Sequence, residues 1–238
     1  MGVLASPWVS IGASRFGTDS VSDIFQEVDE EVRRERLTKL WERYGNYLVA
    51  LCVLIVVGVG AWRGYQWWQE KQAAISGAAY EQANQLAEAG KSKEAEAAFA
   101  KLATDGSKGY RVLAGLREAA ELARTDSKAA IAAYDRIAAD GSAGRVMQDL
   151  AAVRAGYLLV DSAPYAEIRT RLEPLTASDR VFRHSAREIL ALSAYKNADL
   201  AAAKQWTDMI VTDPQTPSGM RSRVEVLSQL ISAASAKG

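Results

Sequence analysis

Residues 93–103 read KEAEAAFAKLA and residues 130–139 read AIAAYDRIAA, and one arrangement of small, aromatic and aliphatic residues underlies both. In each stretch an alanine is followed four residues later by an aromatic residue and three residues after that by an aliphatic one. Residues at these spacings share one face of an α-helix, so a second helix can approach at the alanine while the ring fills the space beside it. The pattern occurs at Ala95, Phe99, Leu102, at Ala130, Tyr134, Ile137 and at Ala202, Trp206, Met209, and in part at Ile168, Leu172, Leu175.

Turn-forming residues divide the same region at intervals of about 35 residues. Two interleaved sets of breaks fall at Gly90, Asp126, Ser162, Asn197 and at Asp105, Asp140, Asp179, Asp213. Two helices per unit follow, and a helix pair of this kind buries its apolar face only by stacking on the next pair. We therefore predict an all-α protein whose C-terminal part is an α-solenoid of about four helix pairs. The expected helices are 72–89 with 92–104, 110–125 with 128–139, 145–160 with 164–177, and 181–196 with 199–212, then a capping helix at 217–235.

The stretch YLVALCVLIVVGVGAW at 47–62 contains no charged residue. Nine of its sixteen positions are Leu, Ile or Val, each of which favours membrane insertion by roughly 0.3 to 0.6 kcal/mol. A helix from Tyr47 to Trp68 would be about 33 Å long, which is enough to cross a bilayer. Tryptophans and tyrosines flank both ends, as they do at membrane interfaces. We expect a transmembrane helix at 46–68 rather than a helix buried in a soluble core.

The basic residues around this stretch indicate its orientation. Only Arg63 and Lys71 follow it closely, whereas five basic residues precede it: Arg33, Arg34, Arg36, Lys39 and Arg43. Because positively charged flanks stay in the cytoplasm, the N-terminus is expected to be cytoplasmic and residues 69–238 are expected to face outward. No small-residue cleavage pattern follows the stretch, so we expect a permanent single-pass anchor.

The residues before the span divide into two parts. Residues 1–21 are rich in Gly and Ser without periodicity, and we expect them to be disordered. From Ser22 or Asp23, either of which can cap a helix, apolar residues recur at steps of three to five among many charges. This pattern predicts an amphipathic cytoplasmic helix over 22–45 that lies on lipid headgroups or on a partner protein. Gly45 and Asn46 are expected to break it before the span.

The composition argues against several classes of function. The 29 Lys and Arg residues balance 29 Asp and Glu residues, which leaves no basic footprint for nucleic acid. The single cysteine, Cys52, lies inside the span, and the single histidine, His184, is expected to be a partly exposed surface residue. Neither a Cys and His metal site nor an activated nucleophile with its base can be assembled from these residues. The sequence predicts a protein that is not an enzyme, with no cofactor and no small-molecule substrate.

The repeats resemble tetratricopeptide repeats in their A-x-x-x-F element, their period and the Asp213-Pro214 pair, although the W-x-x-L-G-x-x-Y element is absent. Together with SDIFQEVDEEVRRERLTKLWERYG at 22–45, one span and outward repeats, the chain from Val21 onward resembles the YfgM-like family. Members of that family are ancillary inner-membrane subunits of the Sec translocon with a periplasmic tetratricopeptide domain. They begin close to the SDIFQEV stretch, so the resemblance also implies a translation start at Val21, which a GTG codon would encode.

The resemblance implies that the protein sits in the bacterial inner membrane with its repeats in the periplasm. Its partners would be Sec translocon subunits and a membrane-anchored peptidyl-prolyl isomerase or another periplasmic chaperone. A second reading stays open, in which the domain is a scaffold or regulator in envelope assembly or stress signalling. The long mixed-charge cytoplasmic helix favours the first reading, because a scaffold that acts only outside would need no such helix.

Recurring arginines mark the first helices of the units, which line the partner-binding groove in tetratricopeptide proteins. Arg111, Arg145 and Arg180 stand at helix starts and are expected to pair with the nearby Asp105, Asp140 or Asp179. The candidates for partner binding lie deeper in the helices: Arg117, Arg154 and Arg187, with Tyr80, Asn84 and Tyr157 beside them. Arginine suits such a surface because its planar fork can take carboxylates or backbone carbonyls.

Overall fold

The computed structural model describes the backbone of residues 19–236 and the side chains of Thr38 and residues 41–236. The described residues form helices and turns without any strand. The α-helices are α1 (Asp19–Glu88), α2 (Ser92–Asp105), α3 (Lys108–Leu122), α4 (Ser127–Ala139), α5 (Arg145–Leu159), α6 (Tyr165–Leu172), α7 (Arg183–Lys196), α8 (Leu200–Val211) and α9 (Ser218–Ser235). Short 3-10 helices at Gly141–Ala143 and Glu173–Thr176 precede α5 and α7. The chain divides into two compact units, one up to Gln66 and one from Trp67 onward.

Helix α1 differs from the expectation at both its start and its middle. Residues 19–21, which we expected to be disordered, are helical, and the rest of that expectation lies outside the described residues. The expected break at Gly45 and Asn46 is wrong, because α1 continues through both. A glycine inside a helix costs only about 1 kcal/mol relative to alanine. The Trp41 ring also covers this position, since a Cβ on Gly45 would lie 3.3 Å from it.

The apolar stretch of α1 is exposed along its length. Leu54 and Val56 are 69% and 70% exposed, and Trp41, Trp62 and Trp67 at its flanks are more than half exposed. Among the described residues, α1 is the one helix that is long and apolar enough to cross a membrane. Leaving so many large apolar side chains in water is unfavourable, so this stretch needs an apolar environment.

From Trp67 onward, helices follow one another in pairs that agree closely with the expected bounds. The end of α1 pairs with α2, α3 with α4, α5 with α6, and α7 with α8, while α9 packs against α8 and α7. The main exception is α6, which ends at Leu172 instead of continuing to residue 177. Pro174 lacks an N–H and its ring clashes with a preceding helical turn, so the chain passes into a 3-10 helix there.

The repeated pattern builds three neighbouring core clusters. Ala95, Phe99 and Leu102 are buried against Ala83 of α1 and Ala114 of α3. The other two clusters join α3 to α4 and α5, and α5 to the helices that follow it. Each cluster links a unit mainly to its neighbours, as expected for a solenoid.

In the last pair the buried set is shifted by one residue. Ala203, Trp206 and Ile210 are buried there, whereas Ala202 and Met209, which the pattern indicated, are only half-buried. Trp206 stays buried, and the small and aliphatic residues buried with it are each one position further along α8 than the pattern indicated.

Local chemistry explains where the helices start and how closely they pack. The Asp126 and Asp199 carboxylates accept hydrogen bonds from Ala129 N–H and Ala202 N–H, both at 2.9 Å, and so cap α4 and α8. Helices α5 and α6 approach at Gly156, where a Cβ would lie 2.7 Å from Cδ1 of the fully buried Leu172.

Candidate partner-binding face

The first helices of the units and the capping helix α9 carry aromatic and arginine side chains, some of which contact neighbouring units. The Tyr80 ring packs edge-on against the Phe99 ring at 5.5 Å, and the Arg117 guanidinium lies 5.4 Å from the centre of the Phe99 ring. Further along, α5 contributes Arg154 and Tyr157, and α9 contributes Arg223. We call the row formed by Tyr80, Arg117, Arg154, Tyr157 and Arg223 the first-helix face.

Arg117 is only partly neutralised. Its Nη2 lies 3.8 Å from Glu121 Oε1, which is a long ion pair, and its side chain is 40% exposed. Glu121 also serves Arg124, whose Nη1 lies 3.5 Å from Glu121 Oε2. Within the described part of the chain, the buried Arg117 Nε has no hydrogen-bond partner. One carboxylate is thus shared between two guanidinium groups.

Arg154 is exposed and makes no ion pair with any described residue. Its positive charge acts on the ionisation of Tyr134 in α4, which is only 4% exposed. Burial raises the pKa of the Tyr134 hydroxyl, and the positive charges of Arg154 and Arg117 partly offset that rise. The two arginines therefore both favour ionisation of the Tyr134 hydroxyl.

Tyr157 lies one helical turn beyond Arg154 and belongs to a closed network. Its hydroxyl donates a hydrogen bond to Glu188 Oε2 at 3.2 Å. The Arg223 guanidinium binds the same carboxylate in a bidentate manner, with Nε at 2.9 Å and Nη2 at 3.0 Å. Burial, followed by the Glu188 charge and hydrogen bond, raises the pKa of Tyr157. The single buried carboxylate of Glu188 neutralises this end of the face.

The other candidate side chains, Tyr80, Asn84 and Tyr157, are all at least partly exposed to solvent. Tyr80 is half-buried, and its ring also lies 5.9 Å from that of Tyr110. Asn84 is half-buried one turn further along α1, beside the fully buried Ala83. Tyr157 is 42% exposed despite its hydrogen bond, so its ring presents a surface that a partner can contact.

Arg187 does not face outward, and the expectation that it does is wrong. It is 7% exposed and donates hydrogen bonds to the carbonyl oxygens of Thr176 at 2.8 Å and Met209 at 3.1 Å. Its Nη1 also lies 3.2 Å from Asp213 Oδ2. These contacts tie α7 to the segments before and after it, so Arg187 holds the fold together.

Asp213 is the centre of a buried cluster that the sequence did not indicate. Arg183 Nε donates to its Oδ2 at 3.0 Å, and His184 Nε2 lies 2.9 Å from the same oxygen. His184 is 8% exposed, so the expectation of a partly exposed surface residue is also wrong. The hydrogen bond from Arg183 is the main cause that holds the pKa of Asp213 well below its usual range.

The arginines at helix starts pair with other partners than those we expected. Arg145 binds Asp179 at 2.8 Å instead of Asp140, and Arg180 binds Asp149 at 2.9 Å instead of Asp179. No ion pair of Arg111 with Asp105 is formed between these described residues. The pairs join successive units rather than closing single units.

A sequence signal for these contacts exists in the repeat period. Pairs of opposite charge that are separated by about one unit of 35 residues recur along the chain. They are Arg171 with Asp135, Arg145 with Asp179, Lys196 with Asp161, and Arg223 with Glu188. Comparing equivalent positions in adjacent units would have found them, whereas a search within each unit misses them.

The described residues hold no group of three or more His, Cys, Asp or Glu side chains suited to a metal ion. A cavity of about 430 Å³ lies between α2, α3 and α4, and its charged lining is mixed: Lys108, Arg111, Glu118, Arg136 and Asp140. Burial raises the pKa of Glu118, and Arg136 partly offsets that rise. The arrangement offers no nucleophile paired with a base, whereas the first-helix face offers cations and aromatic rings.

No curated protein and no solved structure matches the chain significantly. The model of a protein family described as a tetratricopeptide repeat-like domain matches residues 38–189. The matched region includes the apolar stretch of α1, the helices from α2 to α6 and the first half of α7. Since it extends over well more than half of the chain, this protein belongs to the tetratricopeptide repeat-like domain family.

Proposed function

We propose that this protein is a membrane-anchored protein–protein interaction module of the bacterial inner membrane. In this role it acts beside the Sec translocon and periplasmic chaperones in handling newly translocated proteins. The observation that carries the proposal is the joining of an exposed apolar stretch to interaction repeats within one continuous helix, α1. The family match also begins ahead of the apolar stretch, at residue 38, which favours a functional association of anchor and repeats.

The proposed division of the chain follows from that anchor. Residues 22–45 form a cytoplasmic amphipathic helix, residues 46–68 cross the bilayer, and residues 69–238 form the periplasmic repeat domain. The basic residues ahead of the span support this orientation. The exposed tryptophans and tyrosines at the flanks support this position of the helix in the bilayer, because their amphipathic rings favour the headgroup level.

The repeat domain mediates contact between proteins and carries no reaction in this proposal. Repeats of this kind present extended surfaces built from successive units. The resemblance of residues 22–45 to the YfgM-like family supports Sec translocon subunits and a membrane-anchored peptidyl-prolyl isomerase as partners. A cytoplasmic helix rich in charge also gives a single-pass protein a second surface on the side from which substrates reach the translocon.

Affinity purification of the tagged full-length chain from membranes in a mild non-ionic detergent tests the proposal. We expect Sec subunits and a periplasmic chaperone among the main co-purifying proteins. The matched control is an unrelated single-span inner-membrane protein that carries the same tag at the same expression level. Recovery of envelope-assembly or stress-signalling proteins without Sec subunits would favour the scaffold or regulator reading instead.

A further inference from the structure

The first helix pair of the solenoid leaves a groove open on its outer side. The pair consists of the end of α1 and α2, and no earlier helix pair precedes it in the described part of the chain to cover that side. A groove of about 400 Å³ runs there between the two helices. Ile75 in this groove is 56% exposed, and Ala79 and Gln82 are exposed as well. Because the terminal pair of a solenoid normally turns a polar face to solvent, an apolar groove at this end indicates a docking surface.

The α1 side of the groove follows one regular spacing. Apart from Ser76, its members are Gln72, Ile75, Ala79, Gln82 and Leu86. Successive members lie three and then four residues apart, which is the spacing by which two parallel helices pack in a coiled coil. We call this set of positions the seam. The partner that fits it is therefore a helix that runs alongside α1.

The seam continues in the sequence towards the N-terminus. Counting back from Gln72 in the same alternating steps reaches Trp68, Tyr65, Ala61, Gly58, Leu54 and Leu51. Gly58 and Ala61 are small, and small residues let two helices approach closely within a membrane. The same spacing thus holds in the apolar stretch and in the groove, along one continuous helix.

The direction of the partner helix follows from the membrane. In the proposed topology every copy of the chain crosses the bilayer in the same orientation, so the α1 helices of two copies run parallel. A two-fold axis between them brings each seam residue opposite its own counterpart, which is the arrangement of a self-complementary interface. A second copy carries the matching spacing over the whole length by construction, whereas an unrelated helix would have to reproduce it.

The charges beside the groove also fit a second copy. Within Trp67 to Glu88, Lys71 is the one charged residue that lies next to a seam position on the side facing the partner. In a parallel pair such a residue reaches across to the flank of the other helix, here towards Ser76. Ser76 Oγ accepts a hydrogen bond from Ser107 N–H at 2.9 Å, and the exposed Asp105 lines the groove at this end. Lys71 of one copy therefore comes close to Asp105 of the other.

We propose that α1 of a second copy docks along this groove, so that the protein is a parallel dimer. The inference rests on the membrane anchoring of the proposed function, and it goes beyond that function by naming a second copy as the occupant of the groove. Ile75 and Ala79 pack against their counterparts, and Gln72 and Gln82 form hydrogen bonds across the seam that fix its register. Lys71 and Asp105 form an ion pair between the copies on each side of the two-fold axis.

Cysteine cross-linking of the full-length chain in membranes tests the dimer. Cys52→Ser removes the single cysteine of the chain, so Ala79→Cys then supplies one thiol in the groove. Oxidation with copper phenanthroline should convert most of this variant into a disulfide-linked dimer on a non-reducing gel. Ala74→Cys is the matched control, because Ala74 is exposed on α1 and does not line the groove. It should give at least about fivefold less dimer, because a disulfide needs Cβ atoms about 4 Å apart.

Charge reversal tests how the helix sits in the groove. In the Ala79→Cys chain, Lys71→Asp and Asp105→Lys should each lower the yield of dimer by about threefold, and the two together should restore it. Lys93→Asp makes the same kind of reversal on α2 at an exposed residue outside the groove and should leave the yield unchanged. Circular dichroism should show the helix content of the wild type in every variant, which excludes misfolding as the cause of a lower yield.

Several outcomes would overturn the inference. Equal cross-linking of Ala74→Cys and Ala79→Cys would show random collision in the membrane. A yield that neither charge reversal changes would mean that the second helix does not lie in the groove. A disulfide from Ala79→Cys to a different protein, identified by mass spectrometry, would assign the groove to a helix of that protein.

The inference and the proposed function fail separately. Sec subunits that co-purify with a chain that gives no dimer through Ala79→Cys would retain the function and reject the interface. A specific dimer through Ala79→Cys, in a protein that recovers no Sec subunit, would retain the interface and reject the translocon assignment.

Discussion

Trp206 shows at the residue scale how a repeated pattern becomes a core. Its ring is 6% exposed between α8 and its neighbours, and its Nε1–H donates a hydrogen bond to the Tyr165 hydroxyl at 2.8 Å. Tyr165 begins α6, so this one side chain links the last helix pair to the pair before it. The hydrogen bond satisfies the polar end of the indole, and burial of the ring supplies the larger stabilisation.

Trp206→Ala should lower the free energy of unfolding by roughly 3 to 5 kcal/mol, because it removes a buried ring and leaves a cavity. Chemical denaturation in a neutral detergent, followed by circular dichroism, measures the change. Tyr165→Phe is the matched control, since it removes only the acceptor of the indole N–H and should cost about 1 to 3 kcal/mol. A loss below about 1 kcal/mol for Trp206→Ala would mean that the ring contributes little to the core.

At the scale of elements, Asp213 connects the loop between α8 and α9 to side chains of α7. The carboxylate accepts hydrogen bonds from Arg183 and from Gln215 N–H, and His184 and Arg187 lie against it. Its lowered pKa means that the folded protein binds a proton there less readily than the unfolded chain. Such a group stabilises the fold above the unfolded pKa of about 3.9 and loses that contribution as the pH falls towards the folded pKa.

Asp213→Asn should therefore lower the melting temperature at neutral pH. The difference from the wild type should shrink as the pH falls from about 5 to about 2, because the unfolded wild type then takes up a proton at this carboxyl group before the folded form does. Thermal melts at a series of pH values measure it. Asp208→Asn on α8 is the control, because its exposed pair with Lys204 should contribute little. A difference for Asp213→Asn that stays constant with pH would exclude an electrostatic role.

The elements also show what sequence reasoning can and cannot reach. Helix ends in the repeats depend on local turn chemistry, such as the left-handed φ of 75° at Gly90 and the Asp126 cap, and local chemistry is visible in the sequence. The helix α1 continues through Gly45, because a single glycine costs a helix only about 1 kcal/mol relative to alanine. The roles of Arg187 and His184 depend on Asp213, which is 26 and 29 residues away. These partners lie at opposite ends of one helix pair, and the spacing of residues along a single helix does not show which side chains meet there.

At the scale of the whole molecule, each core cluster joins adjacent helices, and the ion pairs cross from one unit to the next. Stability in such an array is close to a sum over units and their interfaces. The middle units can therefore carry unneutralised arginines while the C-terminal units, with their closed networks around Asp213 and Glu188, supply stability.

The flanks of the apolar stretch predict how the whole chain is oriented in the membrane. Because five basic residues precede the apolar stretch and only Arg63 and Lys71 follow it closely, the repeats should lie outside the cytoplasm. Alkaline phosphatase, which folds only outside the cytoplasm, should be active when fused after residue 80 and inactive when fused after residue 40. Green fluorescent protein at the same positions serves as the reciprocal control, since it should fluoresce only after residue 40, and immunoblots check that all fusions accumulate. The reverse pattern would place the repeats in the cytoplasm, where periplasmic chaperones cannot reach them, and would reject the proposed function.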